Sequence, residues 1–105
     1  MRIALAQVNA QVGDIAGNAG EVRARVVEAA TQGVQLAAFP EMMITGYPVE
    51  DLALRPSFQR ASATATEQLA RDIAADGNGE VICIVGYLDF DTAPVNAVAV
   101  MHRGS

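Results

Sequence analysis

The chain has 105 residues, of which 51% are hydrophobic and 18% are charged. This length and composition are typical of one globular domain with its own core, and they exclude wholesale disorder. Twelve acidic residues against seven basic ones give a formal net charge of −5, which opposes phosphate neutralisation and excludes nucleic acid as the main partner.

The cysteine content and the start of the chain exclude further classes of protein. Cys83 is the single cysteine, so an internal disulfide is excluded, and no Cys/His cluster has metal-ligand spacing. We therefore expect no structural metal. The apolar start of the chain, MRIALAQV, is too short to span a membrane, and no signal-peptide cleavage pattern follows it. These features predict a cytoplasmic protein without a membrane partner.

A strand and a helix are predicted first. Residues 2–8 read RIALAQV, a short apolar run that ends at turn-forming residues and indicates a buried strand. A helix is predicted to begin after Asn18, because Glu21 follows it by three residues as in a capping box. Glu21 and Arg25 are spaced for an i,i+4 ion pair, and Gly33 is placed for a left-handed C-cap.

A second strand and a longer helix follow. The apolar run over 34–39 predicts a strand that ends at Glu41, because Pro40 cannot donate to a sheet ladder. After a loop around Gly46, residues 57–75 predict a helix. Its apolar face is predicted at Phe58, Ala61, Ala65, Leu69 and Ile73.

Two further strands complete the predicted order. Residues 81–87 and 96–102 read VICIVGY and NAVAVMH, with a loop containing Asp89 and Pro94 between them. The fold class is therefore α/β, in the order β-α-β-α-β-β. Strands that are apolar throughout indicate a sheet covered on both faces. Two helices suffice for one face, so the other requires a further segment or a partner sheet.

Glu41 is the candidate catalytic residue. It directly follows a predicted buried strand and precedes a loop of glycine, aromatic and proline residues. Ligand crevices in α/β sheets form at the C-terminal ends of strands, where a rigidly held carboxylate is suited to act as a general base. The local pattern leaves open the alternative of a solvated carboxylate after a strand.

Two segments resemble the nitrilase superfamily. Residues 39–52, FPEMMITGYPVEDL, resemble its signature, in which a Leu/Phe-Pro-Glu triplet supplies a catalytic glutamate. The opening RIALAQVNAQVGDIAGN is similar to the first strand and loop of the superfamily. Within the superfamily, TGYPVEDL is similar to the glutaminase domains of NAD synthetases. The resemblance extends over the whole chain and implies that residues 1–105 are the N-terminal half of an αββα sandwich.

The resemblance implies a catalytic triad of glutamate, lysine and cysteine. A thiolate attacks the amide carbonyl, the glutamate acts as base, and the lysine supports the tetrahedral intermediate. Glu41 matches the glutamate. The lysine is expected shortly after His102, yet all seven basic residues are arginine. Cys83 precedes the expected nucleophile position and is interpreted as a core residue. We therefore expect the isolated chain to be inactive.

The resemblance also implies ligands and partners. Tyr47 is placed beside a glutamine pocket, with a turn aromatic as the alternative. Glutamine is the implied substrate, and this domain needs no cofactor. ATP and magnesium are expected in a synthetase domain that lies outside this sequence. A homo-oligomer formed through the faces of the sandwich is expected.

Two other functions stay open at this point. The first alternative is that the chain belongs to another nitrilase-superfamily enzyme, an amidase, carbamoylase or nitrilase. The stretch GYPVEDL favours the glutaminase over this alternative. The second alternative is a non-catalytic fragment or interaction module, because a triad without lysine and nucleophile forms no acyl intermediate.

Overall fold

A computed structural model describes residues 1–46, 50–90 and 93–105. Among these residues the strands are β1 (Ile3–Leu5), β2 (Leu36–Ala38), β3 (Ile82–Phe90) and β4 (Pro94–Met101). The helices are α1 (Ile15–Thr31) and α2 (Pro56–Ala75), and a short 3-10 helix, Glu50–Leu54, precedes α2. The order β-α-β-α-β-β confirms the α/β class predicted from the sequence.

The four strands form one sheet in the order β1-β2-β3-β4. β1, β2 and β3 run parallel, and β4 pairs antiparallel with β3 at one edge. Successive side chains of a strand point to opposite faces, so the registers align the side chains in rows. One row faces the helices and is buried at Ala37, Cys83 and Met101. Val22 and Val26 of α1 and Leu69 and Ile73 of α2 pack against this face.

The opposite face of the sheet is largely open. Its exposed apolar side chains are Ile3 and Leu5 of β1 and Val98 and Val100 of β4, and we call this surface the uncovered face. Leu5 is 76% exposed and Val100 is 64% exposed. Such a contiguous apolar surface is unusual on a complete soluble domain. The two helices thus cover one face only, as predicted, and within the described residues the second face lacks a covering layer.

The parallel strands are shorter and the antiparallel strands longer than predicted. The strands predicted over 2–8 and 34–41 narrow to three paired residues each. β2 ends because the chain leaves its ladder near Pro40 and passes above β3. β3 and β4 extend toward each other as a hairpin, which places Asp89 and Pro94 inside strands rather than in the predicted loop. Backbone pairing in a hairpin continues beyond the apolar run, so composition underestimates its length.

The predicted capping box of α1 is wrong. Asp14 is the N-cap, and its Oδ1 accepts a hydrogen bond from the backbone N–H of Gly17 at 3.0 Å. The i,i+4 pair is confirmed, since Arg25 Nε lies 2.9 Å from Glu21 Oε1. Gly33, directly after the C-cap, has φ of +72°, which confirms its left-handed role.

Asn18 has a tertiary role instead of a capping role. It is 3% exposed, and its Nδ2 donates to the backbone carbonyls of Gln11 at 2.8 Å and Ile44 at 2.9 Å. Its Oδ1 accepts from the backbone N–H of Gln11 at 2.8 Å. Asn18 therefore links the loop after β1 to the segment that follows Glu41. These three contacts explain why a residue that favours caps lies inside a helix.

The buried face of α2 is more polar than predicted. Leu69 and Ile73 are buried as expected, whereas Ala61 is exposed. Ser62 and Thr66 are buried in its place. The Oγ of Ser62 accepts a hydrogen bond from the backbone N–H of Leu88 at 3.1 Å, and Thr66 Oγ1 donates to the Ser62 carbonyl at 2.8 Å. Both hydroxyls can be buried because each has a hydrogen-bond partner. A search for apolar positions alone does not find such residues.

Neither α1 nor α2, as described, has both the length and the apolarity to cross a membrane.

Replacing Asn18 tests its tertiary role. We expect Asn18→Ala to lower the free energy of unfolding by roughly 2–4 kcal/mol, because it leaves the buried Ile44 carbonyl and the Gln11 backbone groups without their partner. Asp14→Ala, which removes only a cap, should cost about 1 kcal/mol. Urea unfolding of the protein measures both values. Equal costs for the two variants would contradict the tertiary role of Asn18.

Candidate active site

Glu41 lies just beyond the C-terminal end of β2, an interior strand of the sheet. The chain still follows β3 at Phe39, whose backbone N–H donates to the Ile84 carbonyl at 2.9 Å. It then turns at Met42, which has a left-handed φ of 56°. The side chain of Glu41 is exposed within the described residues.

Gly86 of β3 determines where the segment containing Glu41 lies. A Cβ atom at position 86 would lie 2.6 Å from the Met42 nitrogen, closer than real Cβ contacts, and 3.0 Å from the Pro40 oxygen. The backbone N–H of Ile44 donates to the Gly86 carbonyl at 3.1 Å. Residues 40–42 thus lie directly on the Gly86 backbone, a close approach that requires glycine.

The carboxylate of Glu41 reaches across the sheet to β4. Its Oε1 accepts a hydrogen bond from the Nδ2 of Asn96. Asn96 pairs with Leu88 in the β3–β4 register and points to the same face as Val98 and Val100. Since β3 lies between β2 and β4, this contact forms only because residues 40–42 cross above β3. Glu41 is therefore directed over the uncovered face.

The turn after Glu41 is anchored on its other sides. Met42 packs with Leu88 and with partly buried side chains of the 3-10 helix and α2. Gly46 has φ of +78°, and a Cβ atom there would lie 2.7 Å from the Val12 Cα. The Thr45 carbonyl accepts a hydrogen bond from the Gly13 backbone N–H at 2.8 Å. These contacts, with those of Asn18, hold the segment rigidly, as a positioned catalytic group requires.

Cys83 is not brought to Glu41. Its side chain is fully buried in the row that faces the helices, whereas the carboxylate of Glu41 lies over the opposite face. Burial raises the pKa of the Cys83 thiol to about 11. A nucleophilic cysteine needs access and a thiolate, so this environment matches the core role predicted for Cys83.

Two other residues mentioned in the sequence analysis, Tyr47 and His102, are not brought to Glu41 within the described residues. Tyr47, predicted to bind substrate, lies outside the described residues. His102 directly follows β4, and its Nε2 is 3.6 Å from a carboxylate oxygen of Glu80. In the part of the chain that the structure describes, no group of three His, Cys, Asp or Glu side chains is arranged to hold a metal ion.

Sequence reasoning missed Gly86 and Asn96 as members of the site. Gly86 carried a usable signal, because an isolated glycine inside an apolar strand often marks the close approach of another backbone. Asn96 opens the run NAVAVMH and is of a type depleted in strands. Its partner, however, follows from the path of residues 40–42, which only the structure shows.

Comparison with known proteins decides the family. The family model described as carbon-nitrogen hydrolase matches residues 2–104. The chain belongs to the carbon-nitrogen hydrolase family. The predicted nitrilase-superfamily resemblance is thereby confirmed. The match includes Glu41, Gly86 and Asn96, so the site described above lies wholly within the carbon-nitrogen hydrolase region.

Relatives of this carbon-nitrogen hydrolase chain include much longer proteins. It is 39% identical over 106 residues to a glutamine-dependent NAD(+) synthetase from Aquifex aeolicus, covering 99% of this chain and 18% of that protein. A crystal structure of a glutamine-dependent NAD(+) synthetase from Cytophaga hutchinsonii has the same fold, with a TM-score of 0.88, 24% identity, and coverage of 99% of this chain and 17% of that chain. The chain thus spans less than a fifth of either protein.

A shorter protein, an amidase, is also similar. The amidase of the nitrilase superfamily from Nesterenkonia AN1, solved as a variant with a cysteine replaced by alanine, matches with a TM-score of 0.77 and 25% identity. The match covers 98% of this chain and 39% of the amidase. The described α/β unit therefore forms part of the nitrilase-type fold, as predicted.

Replacing Gly86 tests the close approach of the Glu41 segment. We expect Gly86→Ala to lower the free energy of unfolding by roughly 1–3 kcal/mol, because the new methyl group overlaps the backbone of residues 40–42. Hydrogen exchange at the Ile44 amide, which donates to Gly86, should become faster.

Gly20→Ala is the matched control for this prediction. Gly20 lies in α1, and a Cβ atom there meets nothing within 4 Å, so alanine should stabilise the helix by roughly 0.5–1 kcal/mol. A Gly86→Ala protein with wild-type stability and wild-type exchange at Ile44 would contradict the packing described here.

Proposed function

We propose that this chain is the N-terminal part of a glutaminase domain that releases ammonia from glutamine for ATP-dependent amidation of nicotinate adenine dinucleotide to NAD. The observation that carries this proposal is the match, over nearly the whole chain, to glutamine-dependent NAD(+) synthetases. The identity is 39% to the protein from Aquifex aeolicus and 36% to that from Thermotoga maritima.

Glu41 is proposed as the general base. In this proposal Glu41 takes the proton of a cysteine thiol, and the resulting thiolate attacks the carboxamide carbon of glutamine. The proton passes from Glu41 to the amide nitrogen, the carbon–nitrogen bond breaks, and ammonia leaves. Water then hydrolyses the thioester, which gives glutamate and restores the thiol. The cysteine and the lysine of the triad belong to a part of the protein outside residues 1–105.

The position of Glu41 supports this role. Its carboxylate lies over the uncovered face, where a second sheet of an αββα sandwich would pack and enclose it. Enclosure would exclude water around a group that is exposed in the described residues, and exclusion of water strengthens electrostatic interactions with a bound amide. In the proposed domain, Glu41 would lie between the two sheets of the sandwich.

The remaining parts of the proposal concern ligands and assembly. Tyr47 is proposed to contact glutamine, as the resemblance of its segment implies. ATP and magnesium are proposed to act in the synthetase domain, and no step described here depends on them. A cytoplasmic homo-oligomer, paired through the faces of its sandwiches, is the proposed assembly.

A different amide substrate is the second candidate. The likeness to the Nesterenkonia AN1 amidase favours it, since the same α/β unit occurs in that shorter enzyme. Ammonia release from glutamine and from small aliphatic amides, measured side by side on the complete protein, separates the two. A clear preference for aliphatic amides would reject glutamine as the substrate.

Replacing Glu41 tests the proposed reaction. In the complete protein, Glu41→Gln should reduce glutamine-dependent NAD synthesis by about 10²- to 10⁴-fold, because the amide cannot take the thiol proton. Synthesis driven by added ammonium chloride should continue near the wild-type rate, since free ammonia bypasses the glutaminase site.

Glu67→Gln is the matched control, because Glu67 is an exposed carboxylate on α2, on the other side of the sheet. This variant should keep both activities. Equal loss of both activities in Glu41→Gln would instead show that Glu41 is structural, and retention of both would reject it as the base.

A further inference from the structure

Asn96 is an isolated polar side chain on an apolar surface. It shares the uncovered face with Val98 and Val100, which follow it on β4 at alternate positions. Asparagine is depleted in strands and offers no apolar area to a covering layer. Within the described residues, its side-chain amide donates a hydrogen bond to the carboxylate of Glu41. The contact with Glu41 therefore explains why an asparagine occupies this strand position, which packing of the strand does not explain.

The amide of Asn96 is held by a rigid part of the sheet. Asn96 pairs with Leu88 of β3, in a ladder that runs without interruption from Cys83 to Phe90. Leu88 is buried, and its backbone N–H is bound by Ser62 of α2. Glu41, in contrast, lies on a turn beyond the end of its strand. A fixed donor on β4 thus meets a carboxylate whose own backbone is not part of a ladder.

We propose that Asn96 is a positioning residue for Glu41, an inference that rests on the proposed role of Glu41 as general base. The amide N–H binds Oε1, which fixes the plane of the carboxylate and leaves Oε2 to take the thiol proton. An amide neither gives up nor accepts a proton under these conditions, so it orients the base without competing with it.

A direct contact with substrate is the competing role for Asn96, because its side chain is exposed in the described residues. The two roles differ in kinetics. A residue that positions the base lowers kcat and alters the pH dependence of the rate, whereas a residue that only binds substrate raises KM. The experiment must therefore separate kcat from KM.

The test uses the complete protein and measures ammonia release from glutamine. Asn96→Asp keeps the size of the side chain but replaces the donor with a second carboxylate beside Glu41. Asn96→Ala removes the donor without adding charge. For Asn96→Asp we expect kcat to fall roughly 10- to 100-fold, with KM within about twofold of wild type, which is the signature of an interaction that acts in the transition state.

The pH profile gives the second readout. The base must be ionised, and a neighbouring like charge favours its protonated form. The acidic limb of the kcat profile should therefore move to higher pH in Asn96→Asp, which adds a carboxylate beside Glu41, and stay in place in Asn96→Ala, which adds no charge. Gln35→Glu is the matched control, because it makes the same amide-to-carboxylate change at an exposed residue that precedes β2, whereas Glu41 follows the other end of that strand. Its profile should match the wild type.

Each outcome identifies which proposal fails. Wild-type kcat and pH profile in both Asn96 variants, or a rise in KM alone, overturns the positioning role. Loss of ammonia-driven synthesis along with the glutaminase reaction also overturns it, since that result marks Asn96 as structural. Full glutaminase activity in Glu41→Gln rejects Glu41 as the base, and with it the positioning role of Asn96. Failure of the wild-type protein to release ammonia from glutamine rejects the proposed function itself, independently of Asn96.

Discussion

The absence of a side chain at Gly86 is the constraint on which the site depends. A parallel strand such as β2 ends where the carboxyl ends of the strands meet, and the chain would ordinarily continue from there outward into a loop. Because position 86 of β3 has no Cβ atom, residues 40–42 instead lie directly on that strand. The carboxylate of Glu41 is thereby moved from above its own strand toward β4 and the amide of Asn96.

The path of residues 40–42 places Glu41 on one of two very different faces of the sheet. The helix-facing side is filled with apolar side chains, and a thiol such as Cys83 is inert there. The other side exposes Leu5 and Val98, and the carboxylate of Glu41, which is directed over it, is held by the amide of Asn96. The sheet thus has a packed interior on one side and, on the other, a surface suited to a second layer. Glu41 lies over that second surface. Burial of that surface would contribute to stability at about 25 cal/mol per Å² of apolar area.

Much of the fold could be predicted because local patterns and tertiary packing agree in most elements. The order of strands and helices and the left-handed Gly33 followed from periodicity and from residue conformational preferences. Asn18 shows why the remainder could not be predicted. Two residues suited to capping, Asp14 and Asn18, stand four apart, and the distant Ile44 carbonyl decides between them.

The candidate site also has one residue that the sequence predicts and another that only the structure shows. Glu41 could be predicted as a site residue because the segment FPEMMITGYPVEDL, contiguous in the sequence, resembles the nitrilase signature, whereas the local pattern alone left a solvated carboxylate open. Asn96 is 55 positions away, and its proximity depends on the strand order and on the crossing at Gly86. Periodicity gives the face of a side chain within its own strand, but not which loop crosses above it. Tyr47 stays a prediction, since it lies outside the described residues.

The contacts of Asn18 also bear on how related sequences can diverge. Surface loops usually accept insertions and deletions independently of one another. Here one buried amide spans the loop after β1 and the segment after Glu41, with hydrogen bonds to both backbones. A change of length in either segment moves a carbonyl out of its reach. The two loops should therefore vary in length together, or only where Asn18 is itself replaced.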